Sequence, residues 1–245
     1  MHRFAPLRRG LGAILMLLAT LPAHTFAAPT PVERAQIQAT RATSSLMLVR
    51  GEGFQKAHLQ RLEEDLQALG QAMQALVPDE TLRRRHQALV DQLRQGVDFG
   101  PGEENMPWRY PEALSQALRD FLTGLRAHPD ATPAELAAKI EYLSVQYLSR
   151  AYFGNFEIAR EQPNAYLGQD ERTLVPAIDK EVETLAGQNP ELGDKLKTRW
   201  NYLRNAFMDM NSQSTAMVSL SGRPFAPLAV DRHTRNLSEQ WMALE

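Results

Sequence analysis

Apolar and small residues recur every three to four positions over most of this chain, the rhythm of helices that each bury one face. The first stripe, Val32, Ala35, Ala39, Ala42, Leu46 and Val49, begins inside Thr30-Pro31-Val32-Glu33, where a cap, a first-turn proline and an N3 glutamate stand in the order of a capping box. Gly51 and Gly53 weaken that helix before a second stripe runs from Leu59 to Leu76. A turn at Pro78-Asp79 leads to Leu82, His86, Leu89 and Leu93, and the stretch from Gly96 to Tyr110 reads as an irregular loop. Pro111 opens a helix with Leu114, Leu118, Phe121 and Leu125.

A second box of the same form, Thr132-Pro133-Ala134-Glu135, opens the stripe Leu136, Ile140, Leu143, Tyr147 and Arg150. A helix is expected from about Glu171 to Gln188, with Pro176 kinking it or marking its start. Asn189-Pro190 caps the longest stripe, which runs from Leu192 through Trp200 and Phe207 to Met217. After a break at Ser221 to Pro227 the last helix carries Val230, Thr234, Leu237, Trp241 and Leu244. No stretch sustains the two-residue alternation of a strand. The expected fold is therefore all-α, an antiparallel bundle of seven to eight helices.

The two T-P-x-E boxes suggest a duplication. With an offset of 102 residues, Leu46 falls on Leu148 and Phe54 on Phe156. With an offset of 116, the helix opened by Pro111 matches that opened by Pro227, and Arg119 falls on Arg235. Two amphipathic helices that both start at proline also align in part by chance. The expected division is a first helical unit over 29–128 and a second over 129–245, as two tandem four-helix units or packed as one domain.

Composition changes this picture chiefly at the N-terminus. Arg3, Arg8 and Arg9 precede an apolar run from Leu11 to about Pro22 and small residues at Ala27 and Ala28, the layout of a cleavable signal peptide over 1–28. The run is short of the roughly 20 residues that span a bilayer. A periplasmic destination is expected, with no stable membrane insertion after cleavage. Loss of the three leader arginines takes the formal charge from −2 to −5, so no global basic field invites nucleic acid. The absence of cysteine removes disulfides, thiol chemistry and haem attachment through cysteine. Hydrophobic content of 43% and charged content of 23% are those of an ordinary globular protein.

The chain carries none of the familiar catalytic or metal motifs. A di-metal bundle needs Glu-x-x-His, yet the residues three before His58, His86, His128 and His233 are Gln55, Arg83, Leu125 and Val230. Nucleophile-elbow, phosphate-loop and dinucleotide motifs are missing as well, so no catalytic residue, metal or cofactor is expected. Arg83-Arg84-Arg85 reads as a solvated face. Four residues stand out as ligand or partner candidates. Arg150 lies on an apolar stripe and needs a carboxylate, a helix end or an anion. Arg160 and Tyr166 belong to the aromatic-rich break from Tyr147 to Asp170. That break is expected to fold back over one end of the second unit, with Phe153 and Phe156 inserted, Arg150 and Arg160 at the rim, and Tyr166 free to meet a ligand. His233 sits at the edge of the last stripe, where a half-buried histidine bonded to Asp or backbone is the ordinary state.

In architecture and address the chain resembles the exported helical-bundle sensing domains of bacterial chemoreceptors and kinases, which implies a sensory accessory role. The function expected is that of a non-catalytic binding or adaptor protein presenting its surface to a small ligand or an envelope protein. Self-association as a structural envelope protein, and envelope chemistry by carboxylates, are the alternatives.

Overall fold

A computed structural model describes residues 29–133, 135–154, 166–188, 190–212, 214 and 218–243. The expected leader lies outside these residues, as do Phe156 and Arg160. Among the described residues the protein has eight α-helices and no strand. They are α1 (Pro31–Gly51), α2 (Lys56–Gln74), α3 (Glu80–Asp98), α4 (Tyr110–Arg126), α5 (Leu136–Phe153), α6 (Glu171–Gln188), α7 (Pro190–Met208) and α8 (Pro227–Met242), with one 3₁₀ turn at Glu103–Asn105. None is long and apolar enough to cross a membrane.

The first helix begins as its sequence demands. Thr30 Oγ1 accepts the Glu33 N–H at 3.1 Å, and Pro31 occupies the first turn. Asp79 caps α3 in the same way, accepting the Leu82 N–H at 2.6 Å. The second T-P-x-E box does not form. Glu135 is itself the residue before α5 and makes no side-chain cap, because its carboxylate is drawn to Gln36 at 3.1 Å and Arg126 at 2.7 Å instead. The long stripe after Pro190 also ends early: α7 stops at Met208, and Asn211 takes a left-handed φ of 61°.

α1 and α5 form the centre. The bonds Gln36–Glu135, Arg41–Glu141 and Glu52–Tyr152 join residues 99 to 100 positions apart, so the two helices run parallel and in register over their whole length. A Cβ on Gly51 would overlap the Tyr152 ring, so glycine is what lets the two C-terminal ends close up. Every residue from Ala39 to Val49, and every residue from Ile140 to Arg150, is buried. A stripe is therefore the wrong description of these two helices: they are enclosed on all sides, polar residues included.

Around this pair α2, α3 and α4 pack on α1, and α6, α7 and α8 pack on α5, with α8 also reaching α1. One hydrophobic core contains residues of all eight helices and crosses the α4–α5 connection. Consecutive helices joined by short turns ordinarily pack against each other, as α6–α7 do, and α3–α4 pack across a longer loop. α2 and α3 barely touch, and a cleft opens between them.

Candidate functional site

The densest chemistry lies in the seam where α1, α2, α5 and α8 meet. Arg235 of α8 places both terminal nitrogens on Asp65 of α2, at 2.9 and 2.7 Å, and its Nε on Asp231 at 3.0 Å. Its remaining bonds go to the Arg41 carbonyl at 3.1 Å and Ser45 Oγ at 2.9 Å. Arg41 of α1 bonds Glu141 at 2.8 Å, Ser238 Oγ at 2.6 Å and the Arg235 carbonyl at 3.1 Å. Arg61 completes the set by holding the second oxygen of Asp231 at 2.8 Å.

Burial alone would lower the Arg235 pKa. The Asp65 hydrogen bonds and the charges of Asp231, Asp65 and Glu141 outweigh it, so the guanidinium stays protonated. Each of these buried charges has an opposite partner. Such an arrangement ties α8 to α1, α2 and α5 through paired charges.

A second buried cluster sits at the starts of α1 and α5. Glu33 and Glu135 face each other there, beside Arg126 from the end of α4 and Tyr166 from the segment before α6. Burial first, and the Glu135 charge second, push the Glu33 carboxyl up to about 7, with Arg34 acting weakly the other way. Glu33 Oε1 and Tyr166 Oη find no hydrogen-bond partner.

The residues singled out from sequence are held in different surroundings. Arg150 is buried in the last turn of α5, donates to the Gly154 carbonyl and feels the charge of Glu171, which in turn accepts from Ser212 Oγ at 2.7 Å. Tyr166 is not free at the surface as expected. Only 3% of it is exposed, its ring lies edge-on to Tyr142 at 5.4 Å, and the Arg126 guanidinium covers it at 5.7 Å. The physical reason is local. Gly168 at φ 78° turns the chain so that its N–H meets Tyr142 Oη at 3.2 Å, while Gln146 grips the Gln169 carbonyl at 2.7 Å. Residues 166–170 are thus laid along the flank of α5, while the 155–165 part of the expected fold-back lies outside the described residues. Phe153 packs at the edge of the core, half-buried. His233 is half-buried and its ring lies 4.4 Å from that of Tyr202 on α7.

Sequence inspection missed Arg41, Asp65, Glu141, Asp231 and Arg235. The one available signal was that Arg41 stands in Ala-Thr-Arg-Ala-Thr-Ser-Ser, where small side chains let neighbouring helices approach from every side.

Among the described residues, clefts of 430 to 470 Å³ reach the surface at three places, within the range of about 300–1,000 Å³ usual for small-molecule sites. One lies between the ends of α3 and α4, around Val77, Arg85 and His128. Another lies beside Trp241, between Leu136 and Leu185, and adjoins a small apolar void lined by Ile140, Val182 and Leu237. The third is the gap between α2 and α3, with Gln60, Glu63, Glu64 and Gln67 on one wall and His86, Val90 and Arg94 on the other. His86 rests on Phe121 at 5.6 Å and its Nε2 is buried without a partner, while burial lowers its pKa and favours the neutral ring. No group of three or more His, Cys, Asp or Glu among the described residues is arranged to hold a metal ion. Comparison with protein-family models, with curated proteins and with solved structures returns no match for this chain.

Proposed function

We propose that the protein is an exported, non-catalytic binding module that takes a small polar ligand between α2 and α3. The observation that carries this reading is the separation of those two helices. The space between them is lined by Gln60, Glu63, Glu64 and Gln67 of α2 and by His86 and Arg94 of α3, a set of polar side chains on two facing walls. Glu63 and Glu64 against the single Arg94 favour a ligand that carries a cationic group.

The probes are free basic amino acids and linear diamines, tested by titration calorimetry on the mature chain. Binding is expected, and Glu63→Gln is expected to weaken it about tenfold, as loss of one charge-assisted hydrogen bond would. The melting temperature should not change, since Glu63 is exposed. No heat from any probe, or equal affinity in the variant, would overturn the assignment.

Export rests on the leader. N-terminal sequencing of material recovered from an expressing bacterium should begin near Ala28 or Pro29. A membrane-bound chain that starts at Met1 would show an anchor instead.

A second reading has its own support. Tyr202, Met208, Val218, Leu220 and Leu228 are exposed on α7, α8 and their connection, which suits docking of an envelope protein. We also read the central pair as the product of an internal duplication, with α1 and α5 as equivalent helices and α4 and α8 both opened by proline. On that reading the α2–α3 gap is a feature of the first half, since the equivalent α6 and α7 close up.

A further inference from the structure

We propose that Glu33, Glu135 and Tyr166 form a proton-operated latch. It holds the 166–170 segment against the starts of α1 and α5 in mild acid and loosens it as the pH rises through neutrality. The geometry leaves one carboxylate too many. Glu135 has first claim on the nearby positive charge, bonding Arg126 Nε at 2.7 Å, and Gln36 donates to the same oxygen at 3.1 Å. Arg126 also covers the Tyr166 ring, so its charge is already committed. Arg34, the other cation facing Glu33, donates to the Pro29 carbonyl at 3.4 Å.

Glu33 is therefore enclosed, at 5% exposure, with a second carboxylate before it and no donor on Oε1. Tyr166 Oη, buried in the same cluster, also has no partner. A neutral carboxyl answers both conditions. It removes the repulsion from Glu135 and adds an O–H donor to a cluster in which Glu33 Oε1 and Tyr166 Oη have no partner.

The sign follows from proton counting. Glu33 binds its proton more tightly folded, with a pKa of about 7, than unfolded, where the value is 4.5. The folded state thus holds the extra proton between those values, and its stability declines as the pH climbs through about 7. What loosens is the segment that meets this cluster, Tyr166 to Asp170, whose attachments to α5 include Tyr142 and Gln146.

The test is amide hydrogen exchange of residues 166–170 at pH 6 and pH 8, corrected for the intrinsic exchange rate, on wild type and Glu33→Gln. Wild-type protection is expected to fall about tenfold between the two pH values, the change that one titrating group centred near neutrality allows. In Glu33→Gln, which keeps the shape and cannot ionise, protection should stay level. The buried His86 works in the opposite direction below about pH 6.5, and the comparison with Glu33→Gln cancels it because both proteins retain it. Level protection in wild type, or an undiminished pH response in Glu33→Gln, would overturn the latch. The wild-type profile decides the matter by itself if the variant does not fold.

Discussion

Arg235→Ala should lower the unfolding free energy by about 3–5 kcal/mol in urea titration followed by circular dichroism, the cost of leaving a buried charge uncompensated. Asp65 loses its bidentate partner and keeps only Ser45 Oγ, at 2.6 Å. Asp231 retains Arg61 but is itself almost wholly enclosed. The expected loss is far larger than that of an exposed ion pair, which is worth about 0–1 kcal/mol. The attraction between the charges is not what the measurement reports. It reports the desolvation that the remaining carboxylates can no longer offset. Accordingly the double variant Arg235→Met with Asp65→Leu, which removes the charge and its main partner together, should regain much of the loss. A single variant that melts within about 0.5 kcal/mol of wild type, as surface substitutions do, would show that the seam is hydrated and structurally idle.

Trp200→Ala should cost a similar amount, about 3–5 kcal/mol, for a different reason: it opens a cavity. The indole is 1% exposed, lies 6.1 Å from the Phe207 ring, and donates to Asp179 at 2.7 Å. Asp179 keeps Arg204, at 2.9 Å, when the indole is gone, so the polar loss is small and the volume term dominates. Trp108 is the internal control. It is 80% exposed beneath the Arg109 guanidinium, and Trp108→Ala should stay within about 0.5 kcal/mol of wild type. Equal midpoints for the two variants would mean that Trp200 does not close the second half of the bundle.

The helices themselves could be read before any fold was known. Thr30-Pro31 and Asp79 start helices because a hydroxyl or carboxylate there meets an otherwise unbonded N–H, an interaction complete within four residues. Stripes such as Leu62, Leu66, Leu69 and Met73 are buried because an apolar face finds a neighbour in almost any compact packing. The same local logic failed at Glu135. Thr132 and Glu135 have the right spacing for a cap, but the charge of Arg126 offered the glutamate a better partner from another helix.

The candidate sites were legible only in fragments. Arg150 stands on a buried face as its place on the stripe implies, a property of one helix, but at 4% exposure it is not at the rim where it was expected. Tyr166 was expected at the surface because polar, proline-containing segments usually lie there. It is buried because Gly168 and the Tyr142 hydroxyl fold it onto α5. Thr40, Arg41, Thr43, Ser44 and Ser45 look like the wet side of α1, yet all five are enclosed. Polarity in one helix does not reveal whether water or another polar helix will face it.

All-helical character, the positions of most breaks and the lack of familiar metal and nucleophile motifs are thus consequences of local pattern and composition, since each depends on residues within one or two turns of one another. The parallel pairing of α1 with α5, the Arg235–Asp65 and Arg41–Glu141 contacts, the crowding of Glu33 by Glu135 and the gap between α2 and α3 join positions from about 20 to 170 residues apart in the chain. They arise from which faces meet, and that is set by the packing of eight helices at once.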